Sequence, residues 1–388
     1  MSARKFLSAH AGHPHWKAAL DQCIAQLQGQ IAAQAERRDF SLGFCYLTDY
    51  FAAAAEDIVG ELRGRLPGVE WVGTVGIGVS ASGFEHFDEP AVSLLLTDLP
   101  RDAFRIFSGR RPLARGGDFE AHTALVHAEG STPDLQELLV EMADRTATGY
   151  LFGGLAASRQ NGFQIAGEVL SGGLSGVAFG PGVEILSRVT QGSQPIGPAR
   201  RITECQGHYL IRLDDRPALQ CVLEDLAMAD DADDETLATA LASTLIGIRR
   251  GHDDGVRRPG QFGAETLVRH ILGVDPQAQV LAVGEELENG MELAFCARNP
   301  GAARADLVRA AQELHGAVGP REIRGALYVS CSGRGGGHFG APHAELLAVR
   351  EVLGDVPLTG YFAGGEIARD RLYGYTGVLT LFVAAGVG

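Results

Sequence analysis

The chain has 388 residues, and this length predicts more than one domain. Hydrophobic residues make up 45% of it and charged residues 21%, which is typical of a folded protein and excludes wholesale disorder. The formal net charge of −15 argues against a nucleic-acid partner and against an anionic membrane surface, because both require a basic face.

Helical and strand-like patterns alternate along the first part of the chain. Apolar residues recur at three- and four-residue spacing from residue 16 to residue 31, which predicts an amphipathic helix. Further helices are predicted at YFAAAAEDIVGELRGRL and PDLQELLVEMADR. Strands are predicted at SLGFCYLT, VEWVGTV, AVSLLLTD, HTALVHAEG, TGYLFGG and SGVAFG.

The pattern becomes richer in strands from about residue 183 to residue 223. The acidic stretch EDLAMADDADDE follows and is the best candidate for a domain boundary. After it, helices are predicted at ETLATALASTLIGI, RADLVRAAQELHGAV and PHAELLAVREVLG, with strands between and after them. This alternation, with its hairpin-like sections, predicts an α/β (α+β) fold with mixed β-sheets flanked by helices.

An internal repeat is visible in the glycine-rich strand ends. TGYLFGG at 148–154 and TGYFAGG at 359–365 agree at Thr, Gly, Tyr and both final glycines, and VGTVGIG at 72–78 is a looser third copy. A unit of strand, helix, strand, glycine turn and strand surrounds the first two of these stretches. We therefore predict two related halves that share this unit by duplication.

The glycine turns also predict a place for a ligand. One explanation of the glycines is that they only allow tight turns of the backbone; the glycines concerned are Gly153, Gly154, Gly364 and Gly365. Similar turns at several strand ends nevertheless favour a shared crevice lined by main-chain amides, since open α/β sheets bind ligands at their strand ends.

Arg334 and Glu366 are the charged candidates for this crevice. Arg334 lies in the stretch SCSGRGGGHFG at 330–340, and a guanidinium binds a carboxylate or a phosphate with two parallel hydrogen bonds. Glu366 directly follows the second glycine pair. Together they would suit a zwitterion, with its carboxylate on Arg334 and its ammonium on Glu366. An ion pair of Arg334 with another acidic residue, and a solvated or salt-bridged Glu366, remain the alternatives.

Cys331 raises the alternative of an enzyme. A cysteine nucleophile, with His338 or His343 as its base, would define a hydrolase or amidase. Such a site needs a thiolate, a base within hydrogen-bonding distance and an oxyanion hole, and a structural cysteine at a strand end is more common. We therefore expect a binding protein rather than an enzyme and keep the Cys331 hydrolase as an alternative.

The sequence predicts neither a metal nor an organic cofactor. His10, His13 and His15 lie close together near the N-terminus but lack a fourth ligand. GIGVSA at 76–81 is followed by another strand and not by the helix that a dinucleotide requires, and GRGGG lacks the Gly-Lys-Ser/Thr of a phosphate loop.

The cellular location is predicted to be the cytoplasm. The six cysteines form no C-x-x-C pair, which fits a reducing compartment. The N-terminus lacks the continuous apolar core of a secretory signal, and the longest apolar stretch is too short to span a bilayer. We expect no insertion into a membrane.

The chain resembles FIST proteins, which carry FIST N and FIST C domains in tandem. GVEWVGTVGIGV, TGYLFGGLAAS, TQGSQPIGPARRIT, RPALQCVLEDL, SCSGRG and LTGYFAGGEI carry the resemblance, which extends from about residue 40 to residue 382. It implies an N-terminal helical segment at 1–39, a FIST N domain at 40–226 and a FIST C domain at 227–388.

The resemblance implies a sensory module that binds small ligands, amino acids among them. We therefore expect a protein that recognises amino acids or similar small polar molecules and signals through a protein partner. A ligand-free scaffold for protein interactions is the further alternative. Ser193 stands in QGSQPIGP where the family is expected often to have cysteine, which weakens any mechanism requiring a thiol there.

Overall fold

The computed structural model of the protein describes residues 5–36, 38–114, 116, 118–228, 234–249 and 266–385. Its contacts divide the chain into two compact units. One, the discontinuous unit, comprises Met1–Thr190 and Arg304–Gly388, and the other, the inserted unit, comprises Gln191–Ala303. This division follows spatial contacts, and the domain boundaries at 39/40 and 226/227 stay a prediction.

Helices and strands alternate throughout the described residues. The helices are α1 (Trp16–Ala32), α2 (Ala55–Arg65), α3 (Leu135–Ala143), α4 (Ala218–Asp225), α5 (Asp234–Ser243), α6 (Pro300–Val318) and α7 (Ala344–Leu353). The strands of the discontinuous unit's first segment are β1 (Leu7–Gly12), β2 (Leu42–Thr48), β3 (Glu70–Gly76), β4 (Gly78–Ala81), β5 (Phe84–Phe87), β6 (Ala91–Thr97), β7 (Phe104–Ser108), β8 (Thr123–Ala128), β9 (Leu151–Leu155), β10 (Gln164–Ala166), β11 (Val169–Leu170), β12 (Leu174–Phe179) and β13 (Glu184–Gln191). The remaining strands are β14 (Ser193–Pro195), β15 (Arg200–Gln206), β16 (Tyr209–Leu213), β17 (Arg216–Pro217), β18 (Leu245–Arg249), β19 (Leu267–Asp275), β20 (Val280–Val283), β21 (Glu292–Arg298), β22 (Ile323–Cys331), β23 (Leu358–Ala363), β24 (Glu366–Arg369), β25 (Arg371–Tyr373) and β26 (Thr376–Val383).

Three six-stranded mixed sheets form the discontinuous unit, and their strand orders correspond. The orders are β1-β6-β2-β3-β10-β11, β7-β12-β8-β9-β24-β25 and β13-β26-β22-β23-β4-β5. In each sheet the two inner strands, β2 with β3, β8 with β9 and β22 with β23, are parallel. One helix connects each parallel pair: α2, α3 and α7 respectively. The predicted mixed α+β class is therefore confirmed.

The sheets exchange hairpins in a ring. We name the strands β1–β6 the first repeat, β7–β12 the second, and β13 with β22–β26 the third. The hairpin of the first repeat pairs with β23 of the third, that of the second with β3 of the first, and that of the third with β9 of the second. The predicted duplication is present, and the same strand–helix–strand–hairpin–strand unit occurs a third time around the VGTVGIG stretch.

One glycine occupies the equivalent position in each repeat. Gly73, Gly153 and Gly360 lie in the second strand of the three parallel pairs. A Cβ atom there would lie 1.7, 1.9 and 1.8 Å, respectively, from the main-chain carbonyl oxygen of the neighbouring strand. The backbone pairing thus aligns Gly153 with Gly360, four residues away from the match with Gly364 that the letters TGYLFGG and TGYFAGG suggest.

Each sheet of the discontinuous unit packs its apolar face against helices. The predicted helix at the N-terminus is present as α1, which buries Leu20, Cys23, Ile24 and Leu27 against the first sheet. Helix α3 packs on the second sheet, and α6 and α7 pack on the third. Among the described residues, no helix combines the length and the apolar character needed to cross a bilayer.

The inserted unit has its own sheet and its own core. Strands pair in the order β21-β15-β16-β20-β19-β18, and β18 pairs back onto β21, so the ladder closes on itself. Apolar side chains of α4, including Leu219 and Val222, pack inside with Ile246 and Phe295. Burial of such side chains is the main favourable contribution to folding.

The close approach at Gly360 predicts a large effect of a single methyl group. Gly360→Ala should lower the free energy of unfolding by about 3 kcal/mol or more, since the parallel strands would have to separate. Gly29→Ala is the control, because Gly29 lies in α1 with no atom within 4 Å of the added carbon. It should raise stability by up to about 1 kcal/mol. Urea unfolding of both variants measures this, and equal effects would contradict the role assigned to Gly360.

Candidate functional site

The glycine-rich stretch after β22 forms a cap over a buried arginine. Ser332–Arg334 form one turn of 3-10 helix, and the chain then continues through turns to α7. A Cβ atom at Gly335 would lie 1.9 Å from the ring of Phe87. The glycine there lets the main chain cross an aromatic ring closely, so it has a packing role in addition to any role in binding.

Arg334 is enclosed, with 1% of its surface exposed. Its Nη2 lies 2.9 Å from Oε1 of Glu345, and its Nε donates a hydrogen bond to the same oxygen at 3.0 Å. Nη1 donates to Oγ1 of Thr190 at 2.9 Å, and the guanidinium lies 5.2 Å from the ring centre of Phe339. The guanidinium is therefore held by a carboxylate of the same protein. Direct binding of a ligand carboxylate by Arg334 stays a prediction.

Glu345 is the main partner in this buried group, which we name the guanidinium network: Arg334, Glu345, Tyr328, Ser330 and Thr190. Oε1 of Glu345 also accepts hydrogen bonds from Tyr328 at 2.7 Å and from Ser330 at 2.9 Å. Its Oε2 is buried and has no hydrogen-bond partner among the described protein atoms. Several donors converging on one oxygen supply the hydrogen bonds that a buried carboxylate needs.

Glu366 lies at the start of β24 and is fully buried. Its Oε2 accepts hydrogen bonds from the main-chain N–H of Thr376 at 3.1 Å and from the hydroxyl of Thr376 at 2.7 Å. Its Oε1 has no partner among the described protein atoms. Burial raises the pKa of Glu366 to about 8, although the Thr376 hydrogen bonds and the charge of Arg334 oppose that shift. The carboxyl group is thus mainly protonated at neutral pH.

Three rings, one from each repeat, meet in the interior, and one of them, Tyr361, lies within electrostatic reach of Glu366. Tyr46 of β2 and Tyr361 of β23 stack with ring centres 4.9 Å apart, and His127 of β8 lies 5.8 Å from Tyr361. The Tyr46 hydroxyl lies 3.2 Å from Nε2 of His127. Burial lowers the pKa of His127 to about 3, so its imidazole is neutral. We name Tyr46, His127, Tyr361 and Glu366 the central polar cluster.

Gly154 is adjacent to three residues of this cluster. It pairs with His127 across one ladder and with Glu366 across the other. A Cβ atom at Gly154 would lie 3.0 Å from the Tyr361 hydroxyl oxygen. That oxygen and Nδ1 of His127 are both buried without a hydrogen-bond partner among the described protein atoms. Oε1 of Glu366 also has no such partner, so three residues next to Gly154 each carry a polar atom with unused hydrogen-bonding capacity.

The predicted glycine turns lie next to each other. The main-chain N–H of Gly364 donates to the carbonyl oxygen of Leu155 at 3.2 Å, and the N–H of Leu155 donates to the carbonyl oxygen of Gly365 at 2.8 Å. Gly153 pairs with Ile367 in the same ladder. Gly153 and Gly154 thus lie within strand β9 and not in the predicted turn, and hydrogen bonds join β9 to the bend at Gly364 and Gly365.

Cys331 lacks the character of a nucleophile. Its side chain is buried, and burial, followed by the nearby charge of Glu366, raises the pKa of its thiol to about 12. The thiol is therefore protonated at neutral pH, whereas covalent catalysis requires a thiolate. Nδ1 of His343 accepts a hydrogen bond from the main-chain N–H of Glu85, and its ring stacks on Phe84 with centres 3.9 Å apart.

The N-terminal histidines separate in the structure. Nδ1 of His10 lies 2.9 Å from Nε2 of His86, and His13 contacts His15. Burial, together with the nearby His86 and His343, lowers the pKa of His10 to about 4. Across the described part of the chain, no group of three or more His, Cys, Asp or Glu side chains is arranged to hold a metal ion.

Sequence reasoning missed Tyr46, His127, Tyr361 and Glu345 as members of a buried polar group. The available signal was a polar side chain inside an otherwise apolar strand, as in TALVHA and LTGYFA. Such a residue needs a partner in the interior. Glu345 gave a weaker signal, since an acidic residue in the first turn of a helix is ordinary.

The fold defines a mixed α+β protein in which three repeats surround a buried polar centre. The family model of the FIST N domain matches residues 41–216, and that of the FIST C domain matches residues 218–369. These matches cover most of the chain, which therefore belongs to the FIST family, as its motifs predicted. FIST domains are generally associated with small-ligand sensing in signalling proteins.

Relatives with the same extent occur in mycobacteria. An uncharacterized protein of Mycobacterium tuberculosis is 31% identical over 346 residues, which is 85% of this chain and 88% of the relative. An uncharacterized protein of Mycobacterium bovis is 29% identical over 386 residues, which is 95% of this chain and 96% of the relative. The similarity thus extends over both FIST domains.

The buried ion pair predicts a difference between single and double substitutions. Arg334→Ala should lower the free energy of unfolding by about 3–5 kcal/mol, because it leaves the Glu345 carboxylate buried without its cation. The double variant Arg334→Met with Glu345→Leu should lose less, since no charge is left unpaired. Urea unfolding measures both, and a double variant that is less stable than Arg334→Ala would contradict this interpretation.

The raised pKa of Glu366 predicts a pH dependence of stability. The folded protein retains the Glu366 proton up to about pH 8, whereas the unfolded chain releases it near its ordinary value of 4.5. Between these values the wild type should therefore lose up to about 1.4 kcal/mol per pH unit relative to Glu366→Gln. Urea unfolding at pH 5, 6.5 and 8 tests this difference, which also cancels the opposite contribution of His10. Parallel pH profiles for the two proteins would refute it.

Proposed function

We propose that the protein is a sensor that binds a small polar molecule, of amino-acid size or smaller, at the central polar cluster and signals through a protein partner. The observation that supports this most strongly is that three residues next to Gly154 each carry an unused polar atom: Oε1 of Glu366, the Tyr361 hydroxyl and Nδ1 of His127. Membership in the FIST family supports the sensory role.

Polar atoms buried without a hydrogen-bond partner destabilise the folded state. Each costs about 1–3 kcal/mol when it is buried without a hydrogen bond, and folded proteins satisfy nearly all such groups. Here the three residues that carry them lie next to one glycine: His127 and Glu366 pair with Gly154 on either side, and the Tyr361 hydroxyl lies 3.0 Å from where its Cβ would be. A small ligand that hydrogen-bonds to these atoms would recover that free energy.

The residues predicted from the sequence take distinct parts in this proposal. Glu366 would contact the ligand directly, and the main chain of Gly153, Gly154, Gly364 and Gly365 would position the strands around it. Arg334 would act at longer range, because its hydrogen bonds go to Glu345 and Thr190. The glycine-rich cap at 335–343 covers Arg334, and we propose that its displacement admits the ligand.

The ring of exchanged hairpins supports a signalling role. Glu366 belongs to the hairpin of the third repeat but lies in the sheet of the second. Tyr361 lies in the third sheet, beside the hairpin of the first repeat. A ligand that contacts both side chains would therefore change the packing between repeats, and a partner protein that binds one arrangement better would respond to it.

A thermal-shift screen of amino acids, amines and small carboxylates tests the proposal. A ligand that binds the folded state should raise the unfolding temperature of the wild type, by an amount that grows with its concentration. Tyr361→Phe removes an oxygen that has no protein partner, so it should fold normally and bind at least tenfold more weakly.

Glu168→Gln is the matched control, because it changes an exposed ion pair with Arg110. It should leave the shift unchanged. A screen without any shift, or a shift that is the same in Tyr361→Phe, would argue against binding at the central polar cluster.

A further inference from the structure

We propose that the ligand bound at the central polar cluster is a cation with N–H donors, namely ammonium or a small primary ammonium ion, and that its binding displaces the proton of Glu366. The inference rests on the proposed function and specifies the ligand class for the same site. It differs from the zwitterion expected from the sequence.

The unused atoms are suited to a donor. A carboxylate oxygen accepts hydrogen bonds, and a neutral imidazole nitrogen that carries no proton does the same. Nε2 of His127 faces the Tyr46 hydroxyl, so this pair can leave Nδ1 of His127 as an acceptor when Nε2 carries the proton. A phenol oxygen accepts as readily as it donates. Ammonium carries several N–H donors and no acceptor, which matches Glu366 Oε1, His127 Nδ1 and the Tyr361 oxygen.

The surrounding charge also favours a cation over a carboxylate. Arg334 is the positive group within electrostatic reach of Glu366, and its guanidinium is already paired with Glu345. A ligand carboxylate would therefore enter a buried region beside two acidic side chains and without a free cation of its own. Because Glu366 is protonated before binding and Arg334 is occupied, an anion would be buried without a partner charge, whereas an ammonium ion gains the Glu366 carboxylate as its partner, so this site discriminates against anions.

Binding exchanges one proton. In the free protein near neutral pH, Glu366 carries a proton on its carboxyl group; when an ammonium ion binds, the carboxyl O–H bond breaks and the proton passes to the buffer. The ligand keeps its own protons, so the charge of the site is unchanged. Proton release of this kind makes affinity rise with pH, by at most about tenfold per unit below the pKa of Glu366.

Other ionisable groups face Glu366 from each neighbouring element. They are Arg334 beneath the cap, Glu345 of α7, Cys331 of β22 and Tyr361 of β23, with His127 of β8 on the other side of Gly154. The Cys331 thiol is protonated and His127 is neutral through the range from pH 6 to pH 8. Arginine stays protonated there as well. Burial also raises the pKa of Glu85 in β5 to about 8, so a titration in this range is assigned to Glu366 by its loss in Glu366→Gln.

Isothermal titration calorimetry tests the proposal with ammonium chloride and methylammonium chloride as probes, and sodium chloride, sodium acetate and glycine as comparisons. We expect both ammonium salts to bind and to release close to one proton per site at pH 6, as measured in phosphate and MOPS buffers with different ionisation enthalpies. Affinity should rise about tenfold between pH 6 and pH 7. Glu366→Gln should abolish proton release, while Glu168→Gln should retain it.

The outcomes separate the two proposals. Binding of acetate or glycine without binding of the ammonium salts would overturn the ammonium inference and leave the sensor function intact. Ammonium binding without proton release, or binding unchanged in both Glu366→Gln and Tyr361→Phe, would overturn this site. If none of these probes binds in calorimetry and no compound of the wider screen shifts the unfolding temperature, the sensor function itself is overturned. Unfolding curves of each variant establish that it is folded before the titration.

Discussion

The polar centre depends on how closely the parallel strands approach in each repeat. At Gly73, Gly153 and Gly360 the neighbouring carbonyl oxygen occupies the space of a side chain. The next position of each strand, Thr74, Gly154 and Tyr361, is paired with the hairpin of another repeat. Polar side chains there lose water because three sheets, not one, surround them. Burial, in turn, sets the protonation of Glu366 and His127.

The sequence predicted the elements far better than their partners. Periodic apolar residues were sufficient for α1, and short apolar runs ending in glycine were sufficient for the inner strands. The hairpin exchange was beyond that reasoning, because β4 pairs with β23 across more than half of the chain and no local pattern encodes such a pairing. The sequence comparison aligned Gly153 with Gly364, whereas the strand pairing aligns Gly153 with Gly360. The two alignments differ because strand register is fixed by pairing with neighbouring strands and not by similarity of the glycine-rich sequences.

At the candidate site, too, the sequence identified some of the residues but not the contacts between them. Arg334 and Glu366 drew attention because charged residues beside glycines are unusual within apolar surroundings. Nothing in the spacing showed that Glu345, eleven residues after Arg334, would bond to the guanidinium across the cap. Helix α7 had to place Glu345 inward, against β22, for that contact to form. His127 was hidden for another reason: a lone histidine in an apolar strand is most often a satisfied core residue.

The three repeats differ most informatively at one position of the exchanged hairpin. Val79, Gln164 and Glu366 occupy it in the first, second and third repeats, each opposite the residue that follows the close-approach glycine. An apolar, an amide and a carboxyl side chain thus occupy equivalent buried places. Burying a carboxyl costs far more than burying a valine, so a purely structural role would favour the first choice. In the third repeat the carboxyl group of Glu366 is buried near the guanidinium of Arg334. Because that guanidinium is already paired with Glu345, it stabilises a charge on Glu366 less. A function for the carboxyl group in the third repeat explains why the cost is tolerated there.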